Sequence, residues 1–375
     1  MRRVLVYWSI LAWTGFVGLT WKKWFIVKTG IENGKRYVRP TFVSLFCSFI
    51  PLIFIVGMRT SFADTTAYIS SFNKAEPSFR YAFSVLTDPD GKDKLFYAFA
   101  TFIKMIYPHP NFWLTVIALI QILFLCYTLS KYSVMPGISM FVFIASTEFT
   151  YMMNGMRQFV AVTMCFAAFK LLERKNYFWY IVVVVIAAQF HGTAYVMLIA
   201  LIFSFIKPWS KTMYVVMVAF AVAIVFLNPI LEGMQIFFED TKYERQMSEL
   251  ISAEGVNILR MFVALVPCVI GFVFRKNKQL WKERKWCLCM NLSLVNAAFW
   301  IAAAIVGGNL MARFAEYFTI YQLLTYPMLF RYCFKGNTRI AVISAFSVFY
   351  VVWFWYELQM NWNVNYVSSV LGWYF

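Results

Sequence analysis

Apolar runs follow one another along the whole chain, and little lies between them that could cover a soluble core. They fall at 4–21, 41–57, 111–129, 135–151, 158–172, 177–190, 192–206, 212–228, 258–274, 286–307, 310–330 and 340–356. Of the 375 residues 62% are hydrophobic and only 14% charged, where an ordinary soluble domain carries about 25% charged residues. A water-soluble globule of this size would lack the polar surface to cover itself, and a disordered chain or a disulfide scaffold is excluded by the same numbers. The pattern predicts an all-α, polytopic transmembrane helix bundle of about 12 spans, a single integral membrane domain over residues 1–375. The first run is read as a retained span: no small-residue cleavage site follows it, and Trp21-Lys22-Lys23-Trp24 has the make-up of an interfacial anchor. The seven cysteines lie in or beside apolar runs without zinc spacing and read as reduced, packed thiols.

The net charge of +17 would suggest nucleic acid on a soluble protein, but its distribution says otherwise. Loops 22–39, 130–134, 170–176, 207–211, 275–285 and 331–339 hold 21 basic residues against Glu32, Glu173 and Glu283. That side carries +18 and everything else −1. The positive-inside rule makes the +18 side cytoplasmic, places both termini outside, and leaves no charge for a nucleic-acid partner to explain. Arg2-Arg3 at the outward N-terminus is the one dissent.

Two outer loops, 58–110 and 229–257, are too long to be plain connectors and are expected to cover a site. In the first, the aromatic stretch 94–107 reads as a helix lying in the membrane interface, and Asp88-Pro-Asp90-Gly91 as a turn. In the second, Tyr243, Met247, Leu250 and Ile251 share one face of an amphipathic helix.

Polar residues at membrane level are costly and point to function. Here four inward-going spans begin at the outer face with a cation in or near the first turn: Arg157 after Asn154, His191, Arg260 after Asn257, and Arg313 after Asn309. A helix N-terminus already carries partial positive charge and free N–H groups, so an added Arg makes an anion-attracting spot suited to phosphate or diphosphate. The competing reading has the asparagines as N-caps and each Arg snorkelling to lipid headgroups. His191 is either a structural hydrogen-bonding residue or a phosphate donor or proton acceptor. Asp64 is either an N-cap or a general base facing the outer cavity. Glu316 is a partner for Arg313 or a carboxylate for a sugar hydroxyl. His109, in Pro-His-Pro, reads as a rigid turn. P-loop, HExxH, GxSxG and Rossmann patterns are all missing.

Gly57-Met-Arg59 followed by Asp64-Thr-Thr-Ala-Tyr68, Asn154-Gly-Met-Arg157-Gln158-Phe-Val-Ala161, Gln189-Phe-His191-Gly-Thr-Ala, and Ala312-Arg313-Phe-Ala-Glu-Tyr317-Phe resemble, in order, the EpsG family of Wzy-type exopolysaccharide polymerases. Ala63 stands before Asp64 where the family pattern has glycine. The resemblance implies a glycosyltransferase at the outer face of a bacterial cytoplasmic membrane, with a GT-C-like arrangement. Its donor and acceptor would be undecaprenyl-diphosphate-linked glycans in the membrane lipid, and a chain-length regulator and a flippase would be its partners. Arg59, Arg157 and Arg313 would hold the diphosphate, with Arg260 joining them only from its place at a helix start, and Asp64, His191 and Glu316 would compete for the role of base. Asn154, Gln158, Tyr68 and Tyr317 would support them, with no metal and no cofactor. A glycan ligase using the same donor, a lipid-linked sugar flippase and a membrane acyltransferase are the alternatives.

Overall fold

The computed structural model describes residues 5–32, 35–238, 256–278, 280–306, 309–360 and 364–374. The chain falls into two compact units. One comprises Met1–Lys170, Phe178–Tyr195 and Tyr326–Phe375, the other Leu171–Tyr177 and Val196–Thr325. Helices dominate both, as they must where no water is at hand to satisfy backbone N–H and C=O groups.

In the first unit, α1 (Leu5–Trp24) leads into a hairpin of β1 (Val27–Glu32) and β2 (Lys35–Pro40), paired antiparallel with Val27 opposite Pro40. The basic loop 22–39, read from sequence only as a charged connector, is thus an ordered hairpin. Thr41 then caps α2 (Phe42–Met58), accepting from the Ser44 N–H at 3.3 Å. The first outer loop is itself helical: α3 (Thr65–Lys74), α4 (Phe79–Thr87) and α5 (Lys94–Ile106). Helix α5 occupies the stretch expected at the interface, but it buries Phe96, Ala98, Ala100, Thr101 and Ile103 within the unit. The Asp88-Pro-Asp90-Gly91 segment turns, with Asp88 Oδ1 accepting from the Asp90 N–H at 3.1 Å. His109 caps α6 (Pro110–Tyr132) through Nδ1, which accepts from the Asn111 N–H at 3.3 Å, and Pro110 occupies the first turn.

The expected span 135–151 is broken. Helix α7 (Pro136–Ala145) ends at Ser146, Thr147 sits at φ +69°, and α8 (Glu148–Asn154) starts afresh. Gly155 separates α8 from α9 (Met156–Ala167), and α10 (Phe169–Glu173) follows. Helix α11 (Tyr177–Phe190) closes on His191, and a 3-10 turn, Gly192–Leu198, leads into α12 (Ile199–Phe203).

Two glycine contacts set how closely these helices approach. A Cβ on Gly57 would lie 2.1 Å from Thr115 Oγ1, which brings the end of α2 against α6. A Cβ on Gly137 would meet the Gly18 carbonyl oxygen at 2.3 Å, where α7 crosses α1. Small residues at crossings are the means by which membrane helices gain packing contact without a hydrophobic driving force. The helix Gly336–Met360 completes the unit, and Tyr350 Oη donates to Tyr326 Oη at 3.0 Å. The short strands Val367–Ser368 and Trp373–Tyr374 pair beyond it. The chain then returns to the end of α2: the Val367 carbonyl accepts from the Thr60 N–H at 2.8 Å and Tyr366 Oη donates to the Ile55 carbonyl at 2.8 Å. The C-terminal segment therefore lies at the same end of this unit as loop 58–110.

In the second unit α13 (Lys211–Phe238), Ile258–Val273 and Arg284–Val306 pack together. Asn291 Nδ2 donates to the carbonyls of Phe203 (2.8 Å) and Ile206 (2.6 Å), where the chain leaves α12. An apolar cavity of about 380 Å³ lies between these helices, lined among others by Met213, Phe220, Leu265, Cys268 and Phe299. The expected span 310–330 is also interrupted, into Asn309–Thr319 and Gln322–Cys333. Among the described residues, Pro110–Tyr132, Arg284–Ile305 and Gly336–Met360 are long and apolar enough to cross a membrane, and several shorter apolar helices accompany them. The amphipathic face expected at Tyr243, Met247, Leu250 and Ile251 lies outside the described residues.

Candidate functional site

The site grows from the break between α8 and α9. The Gly155 N–H closes α8 on the Tyr151 carbonyl at 2.8 Å, and the Gly155 carbonyl opens α9 by accepting from the Phe159 N–H at 2.8 Å. Gly155 itself, at φ −87° and ψ 49°, belongs to neither helix. Arg157 therefore lies in the first turn of α9. Its guanidinium sits beside two tyrosine rings, 5.8 Å from the centroid of Tyr68 and 5.7 Å from that of Tyr97.

Arg157 Nη1 donates to Asp93 Oδ2 at 2.8 Å and to Tyr97 Oη at 3.0 Å. His191 Nδ1 lies 3.3 Å from the same carboxylate oxygen, and the Gly192 N–H donates to Asp93 Oδ1 at 3.2 Å. One carboxylate thus binds the start of α9 and the turn after α11. Asp93 stands at the head of α5 with a left-handed backbone, φ +53°, which Asp tolerates better than most residues. Its side chain makes no capping bond to its own helix and reaches across the site instead. The Asp93 side chain is 8% exposed, His191 15% and Arg157 30%. Phe72, Phe96, Trp113 and Met156 are buried in the same cluster as Tyr68 and wall the site with apolar surface. In such surroundings a charge pair interacts far more strongly than in water. Removing one partner of a buried pair costs about 3–5 kcal/mol.

Arg157 Nε and His191 Nε2 are buried atoms with no hydrogen-bond partner among the described residues. An orphaned buried polar group costs about 1–3 kcal/mol, and two on neighbouring side chains is unusual for a purely structural cluster. Burial raises the Tyr68 phenol above its ordinary range, so it is a neutral hydrogen-bonding group beside Arg157.

The other expected residues of this unit gather at the same end. Asn154 does not cap α9; its Oδ1 accepts from the Asp64 N–H at 3.4 Å and ties the start of α3 to the α8–α9 break. Asp64 is exposed, and its carboxylate makes no capping bond. Gln158 is buried and accepts from Tyr151 Oη at 2.6 Å.

Arg59 has no exposed surface. It donates through Nε to Thr65 Oγ1 (2.9 Å), through Nη1 to the Val56 carbonyl, and through Nη2 to the Met153 carbonyl (3.1 Å) and the Met156 sulfur (2.7 Å). Burial pulls its guanidinium down to about 10, so it stays charged at neutral pH. It joins the ends of α2, α3, α8 and α9.

In the second unit Asn257 does cap its helix, accepting from the Leu259 N–H at 3.1 Å, and the Arg260 guanidinium lies 5.7 Å from the Trp300 ring centroid. Arg313 is exposed, Glu316 half-buried and Tyr317 buried, all on Asn309–Thr319. Among the described residues no cluster of three or more His, Cys, Asp and Glu could hold a metal ion.

Asp93 and Tyr97 were not singled out by sequence. Asp93 lies one residue ahead of the stretch 94–107, whose short length and two lysines, Lys94 and Lys104, read as an interfacial helix. Its one local signal is its place just ahead of an apolar-aromatic helix, where Asp ordinarily caps.

Apolar helices and a half-buried cluster of Arg157, His191 and Asp93 at one end of the first unit define an all-α membrane protein with a polar site. The chain belongs to the EpsG family, the exopolysaccharide polymerases of the Wzy type, whose family model matches residues 42–368. It is a polysaccharide polymerase of glycosyltransferase type. No curated protein and no solved structure matches the chain.

Proposed function

We propose that this polymerase takes repeat units carried on undecaprenyl diphosphate and joins them at the outer face of a bacterial cytoplasmic membrane. The growing glycan passes from its lipid diphosphate to a sugar hydroxyl of the next lipid-linked unit. The observation that carries this reading is the pair of buried nitrogens, Arg157 Nε at the start of α9 and His191 Nε2 just after α11, that have no partner among the described residues and are set beside aromatic rings. A lipid diphosphate leaving group is already rich in negative charge, so it needs fixed cationic donors rather than a proton. Arg157 supplies them in a fork suited to phosphate oxygens. Arg59 acts in the first unit by holding α2, α3, α8 and α9 in register, and Arg260 and Arg313, with Tyr317 in support, are the candidate diphosphate ligands of the second unit. Asp64, His191 and Glu316 are the groups that can take the acceptor proton. The +18 side faces the cytoplasm, about 12 spans in a GT-C-like arrangement put both termini outside, and a chain-length regulator and a flippase work beside the enzyme.

The test uses purified, full-length protein and one repeat unit on undecaprenyl diphosphate. A ladder of lipid-linked products that persists in EDTA is expected, because the charge on the leaving group is met by protein cations. A single transfer to an unrelated acceptor would mark a ligase. Translocation across vesicles without elongation would mark a flippase.

A further inference from the structure

We propose that Asp93 is the positioning residue of an Asp93–His191 dyad and that His191 is the general base of the polymerase. The inference rests on the polymerase reading and narrows its three candidate bases to one.

Asp93 Oδ2 lies 3.3 Å from His191 Nδ1, and the same carboxylate is anchored by Arg157 Nη1 at 2.8 Å and the Gly192 N–H at 3.2 Å. A carboxylate so held accepts from Nδ1–H, which fixes the tautomer and leaves the lone pair of the neutral ring on Nε2. Nε2 is the ring atom without a partner among the described residues. The backbone around the ring is pinned on both sides: the His191 N–H donates to the Ala187 carbonyl and the Ala194 N–H to the His191 carbonyl, each at 3.0 Å. Only the side-chain torsions remain to aim the imidazole, and Asp93 sets them. The left-handed backbone of Asp93 and its forgone helix cap fit this role, since local strain collects where a side chain must be presented in one direction. Arg157 shares the carboxylate, so the group that receives the proton and the cation that meets the diphosphate are held in one frame.

The acceptor sugar O–H gives its proton to His191 Nε2 as its oxygen bonds to the anomeric carbon of the donor. The anomeric C–O bond to the lipid diphosphate breaks, and its electron pair leaves with the diphosphate. The imidazolium keeps Nδ1–H on Asp93 and returns the other proton to water.

Full-length enzyme, supplied with one undecaprenyl-diphosphate repeat unit, is compared with His191→Ala, Asp93→Asn and the double variant, each checked for monodispersity. Loss of a positioned base lowers kcat by about 10²–10⁴-fold. His191→Ala is expected to fall in that range with KM little changed and to regain rate when imidazole is added. Asp93→Asn falls with it, and the double variant is slower than His191→Ala by much less than the full Asp93→Asn loss, because Asp93 acts largely through His191 while it also holds Arg157. A residue that merely supports the fold would not answer to imidazole. Should Asp93→Asn fail to reach the membrane, imidazole rescue of His191→Ala in the presence and absence of Asp93, tested with Asp93→Ser, decides the matter. A folded His191→Ala enzyme that polymerises at the wild-type rate, or stays silent with imidazole, overturns the dyad. Losses that multiply in the double variant do so too. A wild-type enzyme that makes no ladder would instead overturn the polymerisation reading beneath it.

Discussion

Ala63 has φ +42°, a backbone conformation that glycine adopts freely and an L-residue adopts at a cost of roughly 1–2 kcal/mol. The resemblance leads one to expect glycine there, and the geometry supplies a reason: the chain turns between the end of α2 and the start of α3 and brings Asp64 beside Asn154. Ala63→Gly is therefore expected to keep stability and polymer output. Ala63→Val places a β-branched side chain in the left-handed region and is expected to lower stability by about 1–3 kcal/mol, read as thermal unfolding in detergent. Equal stability of the two variants would mean that this turn is not held as described. At the same scale Arg59 shows how a motif residue is recast by its surroundings. Sequence offers it as a cation near an outward helix end. Its full burial and its donation to Val56, Thr65, Met153 and Met156 make it the tie among α2, α3, α8 and α9.

Helix pairings depend on positions where any side chain is too large. An added Cβ at Gly57 would meet Thr115 Oγ1 at 2.1 Å and the Thr115 backbone Cα at 3.1 Å. Gly57→Ala is expected to destabilise by about 1–3 kcal/mol and to cut polymer output, because Arg59 follows directly on the displaced helix end. Thr115→Ala in the same chain should recover part of the loss. Unchanged stability in Gly57→Ala, measured by thermal scans of the purified protein, would contradict the close crossing. Most of the helices were legible from sequence, because apolar runs of the right length have few other ways to satisfy their backbones in lipid. The interruptions were not. Thr147 breaks one expected span through a left-handed residue whose type gives no warning, and hydropathy does not register such a break. The β1–β2 hairpin was missed because a charge count ignores chain geometry, although Asn33-Gly34 between its strands is a hairpin signature. Arg157 and His191 stood out by their charge at helix starts. Asp93 did not, since its partners lie 64 and 98 residues away in the chain.

For the whole molecule, the division of charge into +18 and −1 predicts which loops face out. In a background lacking native cysteines, Arg80→Cys should react with an impermeant maleimide applied outside intact cells, and Lys276→Cys should react only after permeabilisation. Both positions are exposed, so access depends on the membrane alone. Outside labelling at 276 would reverse the orientation and move the site to the cytoplasmic face. In this reading a diphosphate is gripped at Arg157, and replacing that residue puts the grip to the test. Lys keeps the charge and can snorkel as Arg does, but it lacks the planar fork. Polymer length and amount are compared for wild type, Arg157→Lys and Arg157→Ala in a complemented strain, with membrane levels checked by blot. Both variants are expected to lose nearly all polymer at normal protein levels, a deficit on the order of 2–4 kcal/mol of transition-state stabilisation. Full-length polymer from the Lys variant would show that Arg157 only anchors its helix, and would contradict the account.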